Sequence, residues 1–356
     1  PKEYIDEIYK ICQENKILFC FDEVQSGFYR MGELYGYMTY GDYKPDIVTL
    51  GKGLTSSLHL SAVLSTKDGN IHIIDHAFEN MILKRSSTLK SDSGSITLGD
   101  NYNSLKNIII EEQSLFQSQT NTISLRVRDM IIKNDVTISA YSIFGNVSSS
   151  MSVYENTDIS STGAFGILSF NASTILIKAT SLFTSQTIDL YSINRIEVNG
   201  TLRVDSRGYD SDSGPGAGCS PSDYSKSYSY YAGAAGGSHG GRGGNTDRQY
   251  SDNVNNPCYS SSDSYNPITY GHSRDTAFTM GSGGGSMKQN SIYYVGGKGG
   301  GRIKVESFNK IVLGPSSLVT ANGESFTSSS DDNRNGGGGA GGSIWLKCAT
   351  LVSEPN

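Results

Sequence analysis

Ile196-Glu197-Val198-Asn199-Gly200-Thr201-Leu202-Arg203-Val204 alternates aliphatic and polar side chains on both sides of an Asn-Gly pair. Alternation of period two sends successive side chains to opposite faces, so the stretch predicts half-buried strands and not helix. Thr174-Ile175-Leu176-Ile177-Lys178 and Ile123-Ser124-Leu125-Arg126-Val127 carry the same pattern upstream. Ile175 and Ile196 stand 21 residues apart, near the rung length of a parallel β-helix, in which stacked turns bury one aliphatic column. An antiparallel sandwich is the competing reading of the same alternation.

Downstream, Gly300-Gly301-Arg302-Ile303-Lys304-Val305 and Gly341-Gly342-Ser343-Ile344-Trp345-Leu346 lie 41 residues apart and share a Gly-Gly-x-Ile-x-aliphatic form. Ile311-Val312-Leu313-Gly314 likewise echoes Ile196-Glu197-Val198-Asn199-Gly200, which makes an internal repeat. Of the 42 glycines, 13 precede Arg207 and 29 follow from Gly208 onward, so two compositions are joined in one chain. With Gly281-Ser282-Gly283-Gly284-Gly285, Ala321-Asn322-Gly323 and the run from Gly336 to Trp345, this part resembles large glycine-rich, β-helical surface or secreted proteins. That resemblance implies architecture and no activity.

Upstream, Tyr4, Ile5, Ile8, Ile11 and Cys12 recur at helical spacing between charged residues, which predicts an amphipathic helix. Ile17-Leu18-Phe19-Cys20-Phe21 and Ile47-Val48-Thr49-Leu50 are short continuous apolar runs, as parallel strands buried on both faces should be. In open parallel sheets ligands sit beyond the carboxyl ends of strands, and Asp22 and Lys52 both fall there. The expected fold class is therefore mixed: partial α/β, followed by all-β with a parallel β-helix and glycine-rich loops. Its expected segments are 1–66, an unclear junction at 67–122, rungs over 123–206, loops rich in Gly, Ser and Tyr over 207–295, and glycine-rich β repeats over 296–356.

Asp22-Glu23-Val24-Gln25-Ser26-Gly27-Phe28-Tyr29-Arg30-Met31-Gly32, followed by Pro45-Asp46-Ile47-Val48-Thr49-Leu50-Gly51-Lys52-Gly53-Leu54, resembles the signature of class III aminotransferases. Leu60-Ser61-Ala62-Val63 continues the family pattern. The resemblance covers residues 1–66 and implies a piece of the large domain of fold-type I pyridoxal-phosphate enzymes, similar to 4-aminobutyrate and ornithine transaminases. It implies amino-group transfer from an amino acid to an oxo acid, with pyridoxal 5'-phosphate as cofactor and a homodimer as the working form.

On that resemblance Lys52 is the catalytic lysine that holds the cofactor, and Asp22 is the carboxylate that keeps the pyridine nitrogen protonated. Val24 packs against the ring, and Gln25 hydrogen-bonds its phenolic oxygen. The family's glycine-serine-threonine phosphate loop and its substrate-carboxylate arginine have no match in this sequence. The expectation is a fragment of a longer product that does not transaminate by itself. Its alternatives are a structural or surface β-helical protein, or a chimeric join that sequencing of the transcript across Thr66 to Ile123 would reveal.

Composition narrows the remaining classes. At 356 residues two or three domains fit, and 36% hydrophobic with 18% charged residues suits a folded chain. A net charge of −6 with no basic run argues against a nucleic-acid partner. The longest apolar run, Ile17 to Phe21, is far below the roughly 20 residues of a membrane span. His72 and His76 are four apart but lack a third metal ligand nearby, so no metal site is expected. Glu111 and Glu112 read as a charged face, and Gly240 to Gly244 as loop without a P-loop pattern.

Cys219 and Cys258 both lie in the glycine-rich part and could pair, whereas Cys12 and Cys20 suit a buried core in a reducing compartment. Asn146-Val147-Ser148, Asn171-Ala172-Ser173 and Asn199-Gly200-Thr201 are glycosylation acceptor triplets, all outside residues 1–66. The enzyme-like part thus points to a cytoplasmic or mitochondrial setting, and the glycine-rich part leans to an extracellular or surface one.

Overall fold

The computed structural model describes residues 2–15, 17, 19–52, 62–65, 71–73, 80–99, 105–220, 234–240, 243–244, 268–271, 279–289, 292–326 and 336–354. These residues are mostly in parallel β-sheet, with one α-helix and one short 3-10 helix among them. They fall into two compact units, one built from Pro1–Gly163 with Ser169–Lys178, the other from Ala164–Leu168 with Ala179–Asn356.

The first unit opens with α1 (Lys2–Asn15), β1 (Cys20–Asp22) and β2 (Ile47–Leu50). The expected amphipathic helix is present, but its inward stripe is narrower than the sequence pattern. Cys12 is buried and Ile5, Ile8 and Tyr9 are half-buried, while Tyr4 and Ile11 face solvent. The helix covers an aromatic cluster in which Tyr9 meets Phe19 and Tyr43 edge-on, at 5.3 and 5.4 Å between centroids. Phe21 stacks on Tyr37 at 4.6 Å, above buried Val48 and Leu50. Aromatic pairs of this kind add to the area they bury. They fix the strand pair: β1 and β2 are parallel, with Cys20 beside Ile47 and Asp22 beside Thr49.

The sheet continues antiparallel through β3 (Ala62–Ser65) to β4 (Ile71–Ile73), and β4 pairs parallel onto the strands that follow. Beyond these come β5 (Asn80–Leu83), β6 (Thr88–Ser91), β7 (Ile96–Leu98), β8 (Leu105–Ile110) and β9 (Leu115–Ser118). Then follow β10 (Thr122–Ile132), β11 (Thr137–Ala140), β12 (Ser142–Val153) and β13 (Asp158–Ser161). From β4 onward every ladder of this unit that joins these strands is parallel, and they fall into two sheets. In one sheet Ile96, Ile123 and Ile143 stand in register; in the other, Phe116, Ile138 and Ile159 do. All six are buried to 1% exposure or less. Stacked aliphatic columns of this kind are what the period-two alternation predicts once pairing is parallel.

Gly145 sits in register with Leu125 and takes the place of a side chain in its column. A Cβ there would overlap the Phe170 ring, so the glycine makes the room that this ring fills. A second recurring feature is a left-handed, non-glycine residue in the turn before the short strand of each repeat: Ser86, Gln113, Asp135 and Asn156, with φ of 55 to 59°.

β14 (Ile167–Ile177) contributes its first two residues to the second unit and the rest to the first. The second unit holds β15 (Leu182–Thr184), β16 (Thr187–Val198) and β17 (Thr201–Arg203). After β18 (Met287–Gln289) and β19 (Ile292–Tyr294), an antiparallel pair, come β20 (Arg302–Ser307), β21 (Lys310–Leu313) and β22 (Leu318–Thr320). β23 (Ser343–Lys347) and β24 (Thr350–Ser353) end the order. β16 pairs parallel with β20 and β21, and these pair parallel with β23 and β24, so Ile188, Ile303 and Ile344 share one column.

The glycine runs of this unit have a structure of their own. Segments 208–218, 235–237, 281–285, 296–301 and 336–342 have no ladder pairing, yet their amides are bonded. Within 281–285, Gly281 donates to the Gly300 carbonyl, Gly283 to Ser213, Gly284 to Gly297 and Gly285 to Ala235. The same segment accepts from Tyr209, Asp212, Gly218, Gly337 and Ala340. Its bonds thus run to four different neighbouring segments and not along one ladder. Backbones packed this closely leave no space for Cβ: one on Gly284 would overlap the Gly337 carbonyl, and one on Gly299 that of Gly281.

Cys219 is disulfide-bonded, while Cys12, Cys20 and Cys348 are free. The expected partner, Cys258, lies outside the described residues.

Candidate functional site

β1 and β2 are parallel neighbours, so residues that follow them emerge at the same, carboxyl, end of the sheet. Asp22 is the last residue of β1, and Lys52 lies two residues past β2. They are 30 positions apart in sequence; the parallel register places both at one end of the sheet.

Asp22 is exposed, and one carboxylate oxygen is anchored. Oδ1 accepts from the Val24 amide at 3.1 Å and from the Thr49 hydroxyl at 2.9 Å. Among the described residues no hydrogen bond is made to its second oxygen. The backbone bond from Val24 and then the Thr49 hydroxyl hold this carboxyl below its ordinary range; burial opposes them, and the charge of Lys52 adds the least. Asp22 is therefore anionic at neutral pH, with one oxygen fixed and the other uncommitted.

Lys52 is also exposed, and its Nζ donates to Gln25 Oε1 at 3.1 Å. Its backbone has φ of 42°, the left-handed region that side-chain-bearing residues rarely adopt. Non-glycine residues held there are concentrated at functional positions. The lysine side chain reaches Gln25, in the turn that follows β1. Val24 is half-buried and lies between Asp22 and Gln25 in the turn. The structure brings Lys52 together with Gln25 through a direct bond, and with Asp22 through charge.

Two further residues of this site are not legible in the sequence. Thr49 orients Asp22, and its signal is the register that pairs the two, which spacing alone does not reveal. Glu23 is 2% exposed. Its Oε2 accepts from the Ser26 hydroxyl at 2.7 Å and the Gly36 amide at 2.8 Å, and its Oε1 from the Tyr37 amide at 2.8 Å. It caps the 3-10 helix Gly36–Thr39 and ties the turn carrying Gln25 to the stacked Tyr37.

A pyridoxal ring needs an amine for its aldehyde, a carboxylate for its nitrogen and a polar partner for its phenolic oxygen. Lys52, Asp22 and Gln25 present an amine, a carboxylate and a side-chain amide at one strand end, groups of the kinds such a ring takes. The phosphate half has no counterpart among the described residues. Residues 53–61, which follow Lys52, lie outside them.

The other sequence candidates lie elsewhere. His72 is in β4 with its side chain outside the description, and His76 lies wholly outside it. No group of three metal-ligating side chains occurs among the described residues. Glu111 accepts from the Arg85 amide at 3.0 Å and from Lys84 at 3.3 Å, a salt-bridged surface position. No helix of the described residues is long and apolar enough to cross a membrane.

Residues 1–76 match the family model described as Aminotransferase class-III. Isoleucine 2-epimerase of Lentilactobacillus buchneri is 41% identical over 68 residues, which are 19% of this chain and 15% of that protein. Acetylornithine aminotransferase of Caldanaerobacter subterraneus subsp. tengcongensis is 47% identical over 66 residues, 18% of this chain and 16% of that protein. Succinylornithine transaminase of Salmonella agona is 42% identical over 67 residues, 19% and 16% respectively. The chain thus spans less than a fifth of the length of these relatives. No solved structure matches it.

Proposed function

We propose that residues 20–52 are the ring-binding half of a pyridoxal phosphate site, and that its reaction class is chemistry at a carbon bearing an amino group. Amino-group transfer from an amino acid to an oxo acid is the leading case. The observation that carries this reading is the convergence of the Lys52 amine, the Gln25 amide and the Asp22 carboxylate at one end of two parallel strands. The relatives' names include an epimerase beside two transaminases. The shared segment is therefore assigned to what those reactions have in common, labilising a proton at the amino carbon, and not to the choice between them.

When bound, pyridoxal phosphate supplies the electron sink. The chain's own groups do the rest. Asp22, anionic and fixed through Oδ1, offers its second oxygen to hold a proton on the ring nitrogen. Lys52 would hold the cofactor through its amine and would be the group that takes and returns the substrate proton. Gln25, already bonded to Lys52, orients that amine and hydrogen-bonds the phenolic oxygen, and Val24 packs on the ring. The phosphate loop and substrate arginine have no match in this sequence, so turnover by this chain unaided is not expected. The same resemblance supports a homodimer as the working form.

Titration of the full chain with pyridoxal phosphate tests the site. A new visible absorbance band that is lost in Lys52→Ala, and weakened in Asp22→Asn, is the expected result. A band of equal size in wild type and Lys52→Ala would overturn it.

A second reading concerns the rest of the chain. Consecutive strands from β8 to β13 alternate between two sheets, and β8 to β11 each pair in parallel with the strand two places on. This supports a parallel β-helix as the architecture of residues 105–161, with a structural or surface role. Ile138→Ala should cost about 2–5 kcal/mol in urea unfolding if its column is a continuous core. A change below about 0.5 kcal/mol would count against stacking.

A further inference from the structure

Three acceptor triplets lie in the β region, and the structure separates them. In Asn146-Val147-Ser148 the middle residue is 2% exposed, while Asn146 and Ser148 face solvent. Asn171-Ala172-Ser173 repeats this, with Ala172 2% exposed, Asn171 exposed and Ser173 half-buried. The period of two explains why. A strand that turns the middle residue of an Asn-x-Ser triplet into the core turns both the acceptor amide and the hydroxyl outward. Asn199-Gly200-Thr201 differs. Asn199 is half-buried, its Oδ1 accepts from the Ser316 amide at 2.9 Å, and its side chain lies so close to Gly314 that a Cβ there would overlap it. An oligosaccharide on that side chain would displace the turn at 314–317.

A second observation concerns compartment. Cys219 is disulfide-bonded, and protein disulfides persist in the oxidising compartments where oligosaccharide transfer to asparagine takes place.

We infer that Asn146 and Asn171 are N-glycosylation sites and that Asn199 is not one. In the transfer the Asn side-chain nitrogen forms a bond to C1 of the first sugar of a lipid-diphosphate-linked oligosaccharide. The C1–oxygen bond to the diphosphate breaks, the lipid diphosphate leaves with the bonding pair, and the amide gives up one proton. The inference is independent of the cofactor reading, since none of its residues lies in residues 1–66.

The test uses the intact chain purified from its source cells. Treatment with peptide N-glycosidase in heavy-oxygen water, followed by peptide mass spectrometry, converts each glycosylated asparagine to a labelled aspartate. The expected result is label at both Asn146 and Asn171, with Asn199 unlabelled. In the same cells the Asn146→Gln/Asn171→Gln double variant should lose the electrophoretic shift that the enzyme removes from wild type. Lack of label at Asn146 or at Asn171, or label at Asn199, would overturn the inference.

Discussion

Glu23 is the residue on which the local shape of the candidate site depends most. It is a buried carboxylate satisfied by two backbone amides and one hydroxyl, all donors. Glu23→Gln puts an amide donor against one of those donors and should lower unfolding stability by about 1–3 kcal/mol, read from urea denaturation of the full chain. Asp129 supplies a pH signature. Burial pushes its carboxyl up, but hydrogen bonds from Ser150, Arg128 and Ser149 outweigh that and bring it to about 2. A depressed carboxyl contributes stability that is full above the unfolded value, near ~3.9, and is lost as pH falls toward the folded one. The denaturation midpoint should therefore drop between about pH 4 and pH 2 in wild type. Asp129→Asn should flatten that part of the profile; an unchanged slope would show that other carboxyls set it. At this scale the sequence is informative where chemistry is concentrated in a motif: Asp22, Gln25 and Lys52 are readable from it. Thr49 and Glu23 are not, because their roles come from strand register and from a turn that folds back on itself.

Among the elements, the parallel ladders and the glycine segments make opposite demands on sequence. The ladders need alternation, and the runs around Ile123, Ile175 and Ile196 display it in the order of their residues alone. The glycine segments carry no hydrophobic period, and nothing in their composition distinguishes packed backbone from loop. Their order is visible only in the radiating hydrogen bonds of 281–285. The recurring left-handed turn residues are equally hidden, since Ser, Gln, Asp and Asn share no signal beyond polarity. The packing makes a controlled prediction. Gly284→Ala should cost about 1–3 kcal/mol, because the added carbon meets the Gly337 carbonyl and backbone must move. Gly240→Ala, where a Cβ would have nothing within 4 Å, should stay within about 0.5 kcal/mol of wild type. Equal effects in the two variants, measured by thermal unfolding, would remove close backbone approach as the reason for these glycines.

For the molecule as a whole, sequence and structure divide the chain by different criteria. Composition and motif separate residues 1–66 from the rest, whereas the backbone carries the first sheet from β1 through β2, β3 and β4 to β7 without a break. The residues matched to the family model, 1–76, include β4, and β4 shares a parallel ladder with β7 beyond them, a continuity that no motif encodes. The proposed pyridoxal phosphate site rests on its ring-facing groups, and the most direct measurement addresses Lys52 itself. Full chain incubated with pyridoxal phosphate, trapped with borohydride and digested, should show the pyridoxyl label concentrated on the peptide containing Lys52. Asp22→Asn should reduce that label while leaving the background on other lysines unchanged. Label spread evenly over the chain's lysines, with Lys52 no different from the rest, would contradict the account.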